Sequence, residues 1–208
     1  MGRWMATLVV VAVAFGASAA WAQETAGASR WEVTGFPGGG ILFTEGGSGT
    51  GEPDFGNYAL GGSLTYNWNQ YWGIEGEFGA GLGIDQRLQF NDGRRSIGDV
   101  SPPDMIAYNA NALYYPLKND RRFVPYVTGG IGGLTMFDSD EVGFNDDETF
   151  FTGNAGGGVK WYFGRWGVRG DYRFIAISSK DDAPAFFGRA DTRYGHRVYG
   201  GLLFGFDF

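Results

Sequence analysis

The chain has 208 residues, among them 38 Gly and 36 aromatic side chains (7 Trp, 11 Tyr, 18 Phe), with a net charge of −7, one His and no Cys. Without Cys there is no disulfide framework, no thiolate metal site and no Cys nucleophile, and a single His excludes a His-rich metal centre. So many aromatics in a Gly-rich chain exclude a disordered polymer, and an acidic balance without clustered Lys and Arg excludes nucleic acid as a partner.

The N-terminus reads as a secretory leader. Met1-Gly2-Arg3 is a short basic segment, followed by the apolar run Leu8 to Phe15, the small residues Gly16 to Ala20, and an A-x-A site at Ala20-Trp21-Ala22 before Gln23. Residues 1–22 are therefore expected to be a cleaved signal peptide, and 23–208 one exported domain. The leader's apolar run is short of the roughly 20 residues that a membrane helix needs. No later segment offers a longer one, so any membrane crossing beyond the leader must be made by strands.

From Trp31 onward the dominant period is two. Leu60, Gly62, Leu64, Tyr66 and Trp68 alternate with Gly61, Ser63, Thr65 and Asn67. Trp72, Ile74, Gly76, Phe78, Ala80 and Leu82 alternate with Glu75, Glu77, Gly79 and Gly81, and Ile106, Tyr108, Ala110, Ala112 and Tyr114 with Asn109 and Asn111. Successive side chains of a strand point to opposite faces, so each run has one apolar and one polar or small face. Eight strands are expected at about 31–43, 57–67, 72–83, 105–115, 123–136, 150–163, 167–177 and 194–208. Pro37-Gly38-Gly39-Gly40 interrupts the first and predicts a bulge or bend. In the fifth the pattern leaves open which face points outward.

The connections strengthen this reading. Short ones, around 68–71, 116–122 and 164–166, alternate with long ones at about 44–56, 84–104, 137–149 and 178–193. Tight turns at one end and long loops at the other are the asymmetry of a transmembrane barrel. Trp31, Tyr66, Trp68, Tyr71, Trp72, Tyr114, Tyr115, Phe123, Tyr126, Trp161, Tyr162, Phe163, Trp166, Phe206 and Phe208 all fall near the short turns, as one interfacial ring. The expected fold is all-β, an eight-stranded antiparallel up-and-down transmembrane barrel.

The last strand carries the most specific motif. Tyr194, His196, Val198, Gly200, Leu202, Phe204, Phe206 and Phe208 form an alternating row ending in Phe. This row resembles the C-terminal recognition signal of bacterial outer-membrane barrels, with Tyr194, Val198, Leu202, Phe204, Phe206 and Phe208 as the assembly signal. Val168 to Phe174, preceded by Gly156 to Tyr162, is similar to the seventh and sixth strands of the OmpA-like and OmpX-like barrels, and Val124 to Val127 with Gly129 to Gly132 to the fifth. The resemblance implies outer-membrane localisation, lipid and lipopolysaccharide as surroundings, the barrel-assembly machinery as a partner, and a monomer. The sequence departs from full-length OmpA in one respect: it stops at Phe208, so a barrel without the C-terminal peptidoglycan-binding domain is expected.

Eight strands enclose a space that side chains can fill. The alternation points Glu32, Glu75, Glu77, Lys160, Arg169, Asp171, Arg173, Arg197 and Asp207 inward, five acids against four bases. Buried charges must be paired, so these predict a salt-bridged plug, whereas an ion filter favours one sign. A non-enzymatic structural or surface-interaction role follows, exercised through four external loops and a surface ligand that the sequence does not specify. The alternatives are a narrow ion pore and a lipid A-modifying enzyme.

No catalytic, cofactor or metal residue is assigned. Lipid A deacylases of this architecture use a His and a Ser two residues apart, whereas His196 is followed at that spacing by Val198. The palmitoyltransferases need an amphipathic N-terminal helix, and none is evident between Gln23 and Trp31. Asp138, Asp140, Glu141, Asp146, Asp147 and Glu148 crowd one loop without the spacing of a calcium loop and read as a solvated acidic segment. Gly46 to Gly51 reads as a flexible loop tip. Arg87, Arg94, Arg95, Phe186, Phe187 and Arg189 are the remaining loop residues that could meet a partner.

Overall fold

A computed structural model describes residues 27–44, 53–90, 96–138, 147–178 and 192–207. The leader 1–22, the tip Gly46 to Gly51, and Arg94, Arg95, Asp140, Glu141, Asp146, Phe186, Phe187, Arg189 and Phe208 lie outside these residues. Among the described residues there are ten strands: β1 Trp31–Thr44, β2 Pro53–Asn67, β3 Trp72–Gly83, β4 Gln86–Phe90, β5 Ser96–Val100, β6 Met105–Tyr114, β7 Phe123–Met136, β8 Glu148–Phe163, β9 Trp166–Ser178 and β10 Thr192–Phe206. Among the described residues no helix is long and apolar enough to cross a membrane.

Eight of the strands close into an antiparallel ring in the order β1-β10-β9-β8-β7-β6-β3-β2, with β2 returning to β1. Closure leaves no free edge in this ring. The other two, β4 and β5, form a hairpin inside the long connection 84–104, and β4 extends the outer end of β2 through Pro53 and Asp54. That hairpin was not expected from the sequence. β2 and β8 also begin before their expected starts, and β10 spans Thr192–Phe206 rather than 194–208.

Local chemistry sets the short turns. Asn69 Oδ1 accepts from the backbone N–H of Tyr71 (2.8 Å) and Trp72 (3.0 Å), which folds the chain back between β2 and β3. Gly164, at φ 77°, supplies the left-handed residue that the turn between β8 and β9 requires. In β1 the pairing shifts between Gly35 and Gly38 on the β10 side, and between Phe36 and Gly39 on the β2 side. The expected bulge is thus present, and it switches the inward parity from Glu32, Thr34 and Phe36 to Ile41 and Phe43.

The two faces of the wall differ completely. Outward, Ile74, Phe78, Ile131, Val198 and Leu202 are between 53% and 60% exposed, within a continuous apolar surface around the ring. A water-soluble protein does not expose a band of that extent, whereas lipid is its natural solvent. Inward, Glu32, Glu75, Glu77, Lys160, Arg169 and Arg173 are buried. In β7 the inward residues are Val124, Tyr126, Thr128, Leu134 and Met136, so Phe123, Val127 and Ile131 face out.

Candidate functional site

The barrel interior holds the chain's densest chemistry. β9 places Arg169, Asp171 and Arg173 at every second residue, and all three point inward. The ring order sets β3 diametrically opposite β9, so Glu75 and Glu77 approach these groups across the lumen. The struts are needed because the wall itself juxtaposes like charges. Lys160 is the cross-strand partner of Arg169, and Arg173 that of Arg197.

The network has two centres. In the first, Arg169 Nη1 pairs with Glu75 Oε2, Arg169 Nη2 reaches Asp171 Oδ2 at 2.8 Å, and Arg173 Nη2 reaches Glu75 Oε1 at 2.9 Å. Arg173 Nε donates to Asp171 Oδ1 at 2.7 Å, Arg169 Nε donates to the Tyr126 hydroxyl at 2.6 Å, and that hydroxyl donates to Asp171. Asn111 and Thr65 donate to Glu75, each at 3.2 Å. Beside it, Arg197 holds Glu77 in a two-pronged pair at 2.7 and 2.8 Å, and Asn109 donates to Glu77 at 3.2 Å. In the second centre Lys160 Nζ meets Glu32 Oε2 at 2.5 Å, while Tyr162 donates to Glu32 Oε1 at 2.6 Å. Lys160 also donates to Tyr115 (3.2 Å), which donates to Asn67 (2.7 Å).

Charges removed from water cost several kcal/mol each unless paired and hydrogen-bonded, and every carboxylate oxygen of Glu32, Glu75, Glu77 and Asp171 has a donor here. Apolar layers close the space above and below. Leu113, Tyr115, Val124, Tyr126, Tyr162 and Leu203 pack toward the short-turn end, where Ala28 of the entering segment lies against them. Ile41, Phe43, Phe55, Met105, Met136, Phe150 and Ile177 fill the long-loop end. Arg193 is buried there too, its guanidinium 5.1 Å from the Phe55 ring centre.

A family model described as the outer membrane protein beta-barrel domain matches residues 7–203. The chain belongs to this outer-membrane barrel family. No curated protein sequence matches it. Among solved structures the barrel is similar to Neisserial surface protein A at 13% identity, covering 86% of this chain and 99% of that one with a TM-score of 0.59. It is also similar to OprG from Pseudomonas aeruginosa (16% identity, 88% and 100% covered, TM-score 0.47) and to outer membrane protein W of E. coli (17%, 86% and 99%, 0.43). At these identities the likeness concerns the fold. In outer-membrane barrels the short turns form the periplasmic end and the long loops the external end.

Several expectations about residues need correction. Asp207 is exposed and does not face the lumen: it follows the end of β10, and its Oδ1 accepts from the Arg30 backbone N–H at 2.6 Å. With Arg193 inside and Asp207 outside, five cations face four carboxylates among the buried described residues, rather than four facing five. Tyr115, Tyr126 and Tyr162 do not join the interfacial ring, since all three are buried in the lumen. Tyr126, Tyr162, Tyr199 and Asn154 were missed as members of the network. A signal existed, because Tyr162 and Tyr199 stand two residues after Lys160 and Arg197 and share their faces. The apolar external layer was missed as well, since at that level the inward side chains are as apolar as the outward ones.

In the assembly row, Val198 and Leu202 are exposed on the outer wall, and Tyr194, Phe204 and Phe206 are half-buried there. His196 shares that face, with Nδ1 at 2.8 Å from the Tyr172 hydroxyl. Asp138 and Asp147 meet where the Asp138 backbone N–H donates to Asp147 Oδ1 at 3.0 Å. Among the described residues no group of three or more His, Cys, Asp or Glu is placed to hold a metal.

Proposed function

We propose that this outer-membrane barrel is a non-enzymatic, closed structural element that acts at the cell surface through its four external loops. The carrying observation is the filled lumen, in which cross-lumen ion pairs lie between two apolar layers. A route for ions would need a continuous polar path, and Phe43, Phe55, Met136 and Phe150 close the external end of any such path. The reading includes export by the leader 1–22 and insertion by an assembly machinery that reads the row Tyr194, Val198, Leu202, Phe204, Phe206 and Phe208. The barrel works as a monomer in lipopolysaccharide-rich lipid, and the loops meet a partner of the cell envelope or of another cell.

Planar-bilayer recording tests the closed lumen. Purified, folded protein is expected to give no stable unitary conductance. Discrete, reproducible steps that persist in independent preparations would replace the plug with a pore.

An enzymatic alternative makes a different demand. Lipid A from cells overexpressing the protein is expected to keep the mass profile of control cells. Loss or gain of an acyl chain that disappears with His196→Ala would establish a lipid-modifying enzyme.

A further inference from the structure

The membrane-facing wall carries one imidazole. His196 on β10 and Tyr172 on β9 both point outward, and the Tyr172 hydroxyl lies 2.8 Å from His196 Nδ1. With the phenol donating to Nδ1, the ring proton sits on Nε2 and makes it a donor. Nε2 has no hydrogen-bond partner among the described residues. Phe174 packs edge-on against the imidazole at 5.4 Å between centroids and stacks on Tyr194 at 5.3 Å, so the ring is held by aromatic neighbours.

His196 also lines a groove of about 520 Å³ on the outer wall. Leu42, Tyr58, Ile84 and Val198 form its apolar sides, while Gly40 and Gly56 contribute no side chain. A Cβ built on Gly40 would meet nothing nearer than 4.0 Å, so this part of the groove is open space.

The depth of the site follows from strand geometry. His196 stands about ten residues along β10 from Phe206, at a rise of ~3.3 Å per residue and a tilt near 45°. The height gained is roughly 23 Å, close to the apolar band of about 25 Å in an outer-membrane barrel. His196 therefore sits where the acyl chains of the outer leaflet meet their headgroups. Between the periplasmic aromatic ring and this level, the outward positions of the eight strands carry no charged side chain among the described residues. On that surface the imidazole presents its Nε2–H beside an apolar groove. A soluble anion has no use for the apolar groove, and among lipid acceptors a phosphate oxygen makes the strongest hydrogen bond to an N–H, because the bond is charge-assisted.

We propose that His196, Tyr172 and the groove beside them bind a phosphorylated lipid of the outer leaflet. One acyl chain lies over Gly40 and Gly56, and a phosphate oxygen accepts the hydrogen bond of His196 Nε2–H. Tyr172 is a positioning residue that fixes the imidazole. The site depends on the membrane placement of the barrel and not on its closed lumen, so a measured conductance would leave it standing.

The test uses the delipidated, folded barrel in detergent, exposed in turn to lipid A and to the same lipid without its phosphates. Native mass spectrometry reads retained lipid, and the His196 ring ¹⁵N resonance reads contact. Wild-type protein is expected to retain lipid A about tenfold better than the phosphate-free form, the factor expected for one hydrogen bond to a charged group. The ¹⁵Nε2 resonance moves with lipid A alone. His196→Ala abolishes the preference, His196→Gln restores part of it, and Gly40→Leu, which fills the groove, lowers retention of both lipids. Each variant is first shown to keep the gel shift between unboiled and boiled samples. Equal retention of lipid A by wild type and His196→Ala, or an equal resonance shift with both lipids, overturns the proposal. The ring resonance is read on wild-type protein, so the answer does not depend on any variant folding.

Discussion

Arg169→Met is expected to destabilise the barrel by about 3–5 kcal/mol, as breaking a buried ion pair from one side does. Met is similar in length and would fill much of the same space, so the loss reports charge rather than a cavity. Arg169 is buried and touches two carboxylates, those of Glu75 and Asp171, and the Tyr126 hydroxyl. Removing the guanidinium leaves Arg173 as the one cation paired with both acids among the described residues, from 2.9 Å on Glu75 and 2.7 Å on Asp171, with only neutral donors beside it. The double variant Arg169→Met with Glu75→Gln should recover more than half of the loss, because it also removes the carboxylate left short of a partner. Urea unfolding in lipid vesicles, followed by Trp fluorescence and by the gel shift on boiling, supplies both numbers. A surface comparison is built into the molecule: Arg30 contacts the Tyr66 hydroxyl at 2.8 Å on an exposed rim, and Arg30→Ala should leave the unfolding curve essentially where it is. If Arg169→Met behaves like Arg30→Ala, the ion pairs do not hold the lumen shut.

The parts of this architecture that were legible in the sequence are those where the two faces of a strand differ in chemistry. Ile74 and Phe78 against Glu75 and Glu77 leave one assignment, and the structure exposes the first pair and buries the second. Legibility failed where that contrast vanished. Val124, Tyr126 and Thr128 alternate with Phe123, Pro125 and Val127, and neither set is clearly more polar, so only the pairing with β6 and β8 decides the facing. The external layer is the same problem on a larger scale. Phe43, Phe55, Met136 and Phe150 turn inward beneath the loops, where both faces of the wall are apolar. Parity also misleads at strand ends and at bulges. Asp207 was placed inside by extending the β10 alternation beyond Phe206, where the strand has stopped. Arg193 was left out because the strand was started at Tyr194, although it begins at Thr192. In β1 the extra residue at Pro37 to Gly40 reverses the rule within one strand, so that Glu32 and Phe43 both face the lumen. The hairpin of β4 and β5 stands in the external loop region, where lipid imposes no two-faced pattern and the sequence lacks the periodicity that betrays the other strands.

Gly158→Val is expected to cost at least about 3 kcal/mol, combining overpacking with the loss of a buried hydrogen-bonded group. A Cβ on Gly158 would point into the lumen, 2.6 Å from the Tyr126 hydroxyl and in hard contact with the Gly170 carbonyl oxygen. The carbonyl belongs to the neighbouring strand, where Gly158 pairs with Asp171 and Val159 with Gly170, so it cannot retreat without breaking the register. Tyr126 must move instead. Its hydroxyl both accepts from Arg169 Nε at 2.6 Å and donates to Asp171, so its displacement strips two members of the central network at once. Gly76→Val is the matched control, since Gly76 faces lipid and a Cβ there meets nothing within 4 Å. Its change should stay within about 0.5 kcal/mol. The two variants add the same three carbons to opposite faces of the same wall, and the difference between their unfolding free energies measures how tightly the lumen is packed. If that difference is near zero, Tyr126 has room to move aside. The interior is then loose enough to admit water, and the closed-barrel reading fails together with the packing on which it rests.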